Sequence, residues 1–326
     1  MDKRTIIFRA DAGPEIGMGH FTRTLALAEM LCDAYECVFV TREPSPFQLA
    51  EAGRICHRLE RLPAGETQPE ELLPLLQGNE IVVLDNYFFD TAYQQAVRAK
   101  GCRLVCIDDI HDRHFVADLL INHTGGIGRA AYSAEPYTRF CLGYDYALLR
   151  QSFREPAPPP AEKKYACVVM MGGVDPFRTL PRVLEALALA KPQKPVAVIS
   201  AVKEDLAAPV AIETFSGLSA PATAALMQQA GYGIFPASTV VLEACALRLP
   251  VVCGYFIGNQ AETYQSLTSR GMALGVGRLT DVSPAEIAKA INKMADPEVV
   301  HTIKARQEQQ MDNRSAQRLL KIFSEL

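Results

Sequence analysis

The sequence predicts an α/β protein: two parallel-sheet halves joined by a linker and facing across a cleft. Three observations predict it. Short continuous apolar runs recur at crossover spacing, the pattern starts afresh near residue 165, and a proline-rich polar stretch separates the two series. A chain of 326 residues most simply makes two domains, read here as 1–154 and 165–326 with a linker at 155–164.

Taken in order, Thr5-Ile6-Ile7-Phe8 is the first strand, Gly13-Pro14 breaks it, and Leu27 and Leu31 then recur at helical spacing. Cys37 to Thr41, Ile81 to Asp85, Leu104 to Asp109 and Leu119 to Asn122 are further strand-length runs. Three of them end in Asp or Asn, which puts polar groups at the carboxyl edge of the sheet, where open α/β sheets bind ligands. From Arg154 to Lys164, prolines fix the backbone and charges keep the segment in water. Tyr165 to Met171, Val196 to Ser200, Gly233 to Phe235 and Val251 to Tyr255 are the second series of strands. Helical segments alternate with them near 222–230, 240–247, 261–270 and 284–294, and another begins near Thr179 or Leu180 with Pro181 in its first turn.

Composition narrows the function. Hydrophobic residues are 49% and charged residues 21%, enough to build a core. With 33 basic against 37 acidic residues and no dense basic run, nucleic-acid binding has no support. The first eight residues lack a signal-peptide core, and no apolar run approaches the length of a membrane span. Nine cysteines, several inside strand-like runs, read as reduced thiols of a cytoplasmic protein. Asp108-Asp109-Ile110-His111-Asp112-Arg113-His114 has metal-ligand residue types but no defined ligand spacing. It reads as a charged surface loop, and no metal is expected.

Four stretches could carry chemistry. In Asp11 to Arg23, a strand end, a glycine turn and a helix start surround His20. Gly17 and Gly19 let a ligand approach the backbone, and a helix N-terminus favours negative charge. Gly172-Gly173 follow a strand directly, as a diphosphate loop does, although a plain turn reads the same way. Ser238 or Thr239 is an N-cap, with helix N–H groups open to phosphate and Glu243 one turn further on. Asn259-Gln260 open another helix with amides suited to sugar recognition or to capping.

These blocks, in this order from Asp11 to Gln260, resemble the UDP-2,4-diacetamido-2,4,6-trideoxy-β-L-altropyranose hydrolases of pseudaminic acid biosynthesis. The blocks are Asp11 with Ile16 to Arg23, Asp85-Asn86-Tyr87, Asp108-Asp109, Met171 to Asp175, Ala237-Ser238 with Glu243, and Asn259-Gln260. The resemblance implies a GT-B architecture of two Rossmann-like domains, UDP held mainly by the second, and kinship with the peptidoglycan glycosyltransferase. It implies His20 as the catalytic histidine and Asp11, Gly17, Gly19, Arg23, Tyr87, Asn259 and Gln260 around the substrate. Gly172, Gly173, Ser238, Thr239 and Glu243 would then hold the nucleotide, with Glu243 on the ribose and no cofactor required. Hydrolysis needs a base for water, and imidazole titrates near neutrality in its ordinary state. Inversion at the anomeric carbon and C–O cleavage are the expected course. A glycosyltransferase on the same fold and a non-catalytic nucleotide-sugar sensor are the competing readings, and association with neighbouring pathway enzymes stays open.

Overall fold

A continuous apolar run buried on both faces of a parallel sheet leaves water while its backbone is satisfied by its neighbours. In the computed structural model, which describes residues 3–13, 16–65, 68–172, 175, 177–200 and 209–326, such runs build two units. The first unit holds β1 (Thr5–Ala10), β2 (Glu36–Arg42), β3 (Arg58–Leu62), β4 (Ile81–Asp85), β5 (Arg103–Ile107), β6 (His114–Phe115), β7 (Leu119–Asn122), β8 (Ser133–Ala134) and β9 (Arg139–Leu142). Its helices α1 (Gly19–Leu31), α2 (Pro46–Ile55), α3 (Pro69–Leu72) and α4 (Thr91–Ala99) lie between strands. The main sheet is parallel in the order β3-β2-β1-β4-β5-β7-β9, with β6 and β8 paired apart from it.

The second unit holds α5 (Gln151–Arg154), β10 (Tyr165–Val169), α6 (Leu180–Ala190), β11 (Val196–Ile199), β12 (Ile212–Phe215), α7 (Ala220–Gln228) and β13 (Ala230–Pro236). It continues through α8 (Thr239–Ala246), β14 (Val251–Tyr255), α9 (Gly258–Ser269), β15 (Leu274–Arg278), α10 (Pro284–Lys293) and α11 (Pro297–Gln310). Its sheet runs β12-β11-β10-β13-β14-β15, all parallel, the order of a dinucleotide-binding sheet. Val169, Val198, Ile234 and Val252 form its core against Leu184 and Leu187 of α6 and Ile287 and Ile291 of α10. In both sheets the strand order reverses at one place, between β1 and β4 and between β10 and β13.

The chain divides elsewhere than the proline signal suggests. The first unit is Met1–Arg150 together with Arg314–Leu326, and the second is Gln151–Asn313. The expected linker belongs with the second unit: the Gln228 amide donates to the Ala157 carbonyl and Lys163 donates to the Gln228 carbonyl, each at 2.6 Å. The last helix, α12 (Ser315–Phe323), was expected in the second domain and instead packs on α1. Leu319 and Phe323 form a buried apolar stripe on α12, and docking in the first unit takes that stripe out of water. Among the described residues no helix is long and apolar enough to cross a membrane.

Capping separates two kinds of helix. Ser45 and Ser283 close capping boxes at α2 and α10. By contrast α1, α8 and α9, which follow the carboxyl ends of β1, β13 and β14, begin at Met18, Ser238 and Ile257 with no side-chain cap. Among the described residues, no N-cap side chain accepts their first N–H groups at the sheet edge.

Candidate functional site

The reversal between β1 and β4 positions one cluster. Ala10 at the end of β1 pairs in register with Asp85 at the end of β4, so whatever follows β1 meets what ends β4. Between them the chain makes a tight turn: Gly13 and Gly17 bridge antiparallel, and Gly17 takes φ +72°, a conformation costly for any residue with a Cβ. Gly19 is the first residue of α1, has no positive φ, and faces open space. Its lack of a side chain keeps the approach to the helix start clear.

His20 and Arg23 sit one turn apart on α1 and therefore share a face. Asp85, fully buried, receives His20 Nδ1 at 2.7 Å and Arg23 Nη2 at 2.7 Å on one oxygen, and Arg23 Nε at 2.8 Å and Thr24 Oγ1 at 2.7 Å on the other. Burial alone would raise the Asp85 pKa, but Arg23 and His20 hold it well below the usual carboxylate range. An ionised carboxylate only accepts, so His20 Nδ1 carries a proton, and Nε2 is the ring nitrogen turned away from Asp85. Arg23 Nη2, 3.1 Å from Nδ1, is then a second donor sharing Asp85 rather than a partner of the ring.

Arg23 is also held from the far side, where Nη1 donates to Asp109 at 2.7 Å. Burial opposes its charge, yet the two carboxylates raise its pKa further. Against the same burial, Arg23 keeps Asp109 ionised. The guanidinium is therefore committed to Asp85 and Asp109, and the expected substrate contact becomes a brace. Tyr87 meets the His20 ring edge-on, with centroids 4.5 Å apart. Burial and the nearby Asp109 push its phenol up, so it stays protonated. His123, fully buried at the end of β7, accepts the Leu148 N–H at 3.3 Å, and burial pushes its pKa down to about 3. It cannot take a proton at neutral pH.

Asp11 stands apart from the histidine. Both its oxygens are occupied by Arg9, and one also accepts the Arg42 N–H at 2.7 Å. It anchors the turn between β1 and α1 and has no hydrogen bond to His20 or Arg23 among the described residues.

In the second unit, Gly172 follows β10 with φ +93°, and Gly173 lies outside the described residues. Ser238 is the N-cap of α8, Thr239 its first residue, and Glu243 lies one turn in, buried. These groups gather at the reversal between β10 and β13. Asn259 falls in the first turn of α9, while Gln260 Oε1 accepts the Phe256 N–H at 3.0 Å, so its capping role is realised. Among the described residues, no three His, Cys, Asp or Glu side chains are arranged to hold a metal ion. All nine cysteines are unpaired thiols.

Sequence reasoning did not assign Asp85, Thr24 or Asp109 to the site. The available signal was the strand-terminal position of Asp85 together with the one-turn spacing of His20 and Arg23.

No known protein-family profile matches the chain. A curated relative, the UDP-2,4-diacetamido-2,4,6-trideoxy-β-L-altropyranose hydrolase of Campylobacter jejuni, is 26% identical over 176 residues, which are 52% of this chain. The match spans 61% of that relative's length. The chain also resembles a calicheamicin glycosyltransferase, CalG4, at TM-score 0.65 and 14% identity over 100% of this chain and 98% of that one. MurG of Acinetobacter baumannii gives TM-score 0.65 at 14% identity over 99% and 100% of the two chains. A UDP co-structure of Staphylococcus aureus MnaA gives 0.64 at 10% over 97% and 95%. These likenesses establish the fold as GT-B, two Rossmann-like domains with parallel sheets.

Proposed function

We propose that this chain hydrolyses a UDP-linked 2,4-diacetamido-2,4,6-trideoxy sugar at the anomeric C–O bond, releasing UDP and the free sugar for nonulosonic acid synthesis. The observation that carries the reading is the His20–Asp85 pair, in which Nδ1 is committed to Asp85 at 2.7 Å and Nε2 is left to act as the base. The partial identity to the Campylobacter hydrolase supports the substrate class.

Water oxygen forms the new bond to C1 while its proton passes to His20 Nε2. The bond from C1 to the β-phosphate oxygen breaks, and its electron pair leaves with UDP. Asp85 holds the ring and stabilises the imidazolium that forms, Arg23 and Thr24 hold Asp85, and Asp109 balances Arg23. Attack opposite to the leaving group inverts C1. Gly17, Gly19 and Tyr87 border the sugar, and Asn259 and Gln260 supply amides for its substituents. For the nucleotide, the open N-terminus of α8 at Ser238 and Thr239 and the Gly172-Gly173 turn suit a diphosphate, and Glu243 suits the ribose hydroxyls.

The test is turnover of UDP-2,4-diacetamido-2,4,6-trideoxy-β-L-altropyranose in ¹⁸O water with no acceptor present. Label in the sugar, and loss of turnover with retained UDP binding in His20→Ala, is the expected result. Label in UDP sinks C–O cleavage, and UDP release only when an acceptor is added favours a glycosyltransferase.

A further inference from the structure

The segment Asp108 to His114 has chemistry that the reading above leaves unused. It is no plain surface loop, because Asp108 is 7% exposed. Its carboxylate accepts the backbone N–H groups of Ile110 at 3.1 Å and His111 at 2.7 Å, and His111 takes the left-handed φ of +43°. That turn brings Arg113 back to the carboxyl end of β4, where Nη1 donates to the Tyr87 carbonyl at 2.9 Å. On the other side of the same residue, the Tyr87 N–H donates to Asn86 Oδ1 at 2.7 Å. Both backbone polar groups of Tyr87 are thus gripped by side chains rather than by a strand.

Tyr87 itself is half-buried. Phe88 beside it is 49% exposed, so this end of the turn borders solvent. A solvent-bordered turn can shift unless polar contacts hold it. Arg113 also donates through Nε to the exposed Asp112 at 2.8 Å, so its charge is compensated.

We propose that Arg113 is a positioning residue for the reaction at His20, acting by clamping Tyr87 so that its ring holds the imidazole orientation. This rests on the function proposed above. A misplacement near 1 Å in a reacting constellation can cost about 100-fold. Losing this clamp is therefore expected to lower kcat by about tenfold, with a smaller effect on KM.

The experiment compares wild type, Arg113→Ala, Arg113→Lys, Tyr87→Ala and the Arg113→Ala/Tyr87→Ala pair in UDP release from the diacetamido UDP-sugar. Histidine-selective NMR is recorded on each, with His20 assigned through His20→Ala. Arg113→Ala should lose about tenfold and shift the His20 ring resonances, which feel the Tyr87 ring current. Arg113→Lys, which keeps one donor, should recover part of both. In the Tyr87→Ala background the Arg113 change should have no further effect, as coupled sites require. Unmoved His20 resonances, or an equal loss of turnover with and without Tyr87, overturn the proposal. If wild type releases no UDP, the hydrolase reading fails separately and the NMR shift still decides whether Arg113 sets the ring.

Discussion

Replacing Asp85 by Asn removes charge from the centre of the cluster with almost no change of shape. Four donors converge on the carboxylate, two on each oxygen. An amide oxygen accepts two of them, and the NH₂ group now faces two donors. At about 1–3 kcal/mol for each buried donor left without an acceptor, the variant loses about 2–6 kcal/mol of stability. That is a large share of the usual total of about 5–15 kcal/mol. The catalytic loss has a different cause. An NH₂ beside His20 Nδ1 favours the tautomer with the lone pair on Nδ1, which moves the proton to Nε2 and removes the base. The same change behind the histidine of serine proteases costs about 10⁴-fold in kcat, equivalent to about 5 kcal/mol of barrier. The assay is UDP release per folded molecule, measured well below the thermal midpoint and with the folded fraction taken from circular dichroism. We expect a loss between 10³- and 10⁴-fold, and no further loss when the change is made in His20→Ala. A folded Asp85→Asn variant that keeps a tenth of wild-type turnover would refute the tautomer argument.

Three further outcomes follow from the same geometry. Asp85 and Asp109 have carboxyl pKa values depressed by Arg23 against the opposing effect of burial, so their stabilisation is complete above the unfolded value near 3.9 and is lost as pH falls below it. The thermal midpoint should therefore hold from about pH 7 to pH 5 and fall below about pH 4, less steeply in Asp85→Asn; equal slopes would contradict the linkage. Gly17→Ala should cost about 1–2 kcal/mol through its φ of +72° although no atom of the described residues lies within 4 Å of the added Cβ. Gly19→Ala should instead stabilise α1 by up to about 1 kcal/mol and reduce turnover by narrowing the approach to His20; a fully active Gly19→Ala would place the substrate elsewhere.

Much of the fold was legible because its strands are continuous apolar runs. Ile81–Asp85, Leu119–Asn122 and Val251–Tyr255 formed over the expected residues, and Leu180 opened its helix with Pro181 in the first turn. Among the strands that escaped notice, Arg58–Leu62, Arg139–Leu142 and Ile212–Phe215 lie at sheet edges and lack a long apolar run, and Leu274–Arg278 is interrupted by glycines. Proline chemistry marked a linker correctly as irregular chain but not as a boundary, since where a segment belongs depends on what it packs against. The histidine was visible from its neighbours in sequence. Its partner Asp85 is 65 residues away, and their meeting follows from β1 pairing with β4, which no local spacing encodes. Arg23 was placed around the substrate by the resemblance, and its two carboxylates come from different strand ends, which no local spacing encodes.

Because α12 covers α1, the unit that carries His20 is assembled from two stretches of chain with the whole second unit between them. During synthesis, residues 151–313 can fold as one contiguous stretch, whereas the earlier residues must wait for 314–326 to emerge. At usual elongation rates that delay is on the order of ten to thirty seconds. Until it ends, one flank of α1 has no covering helix, so the unit made first is the last to be finished. A fragment ending at residue 150 would contain every side chain of the histidine cluster and still lack the helix that braces it from behind.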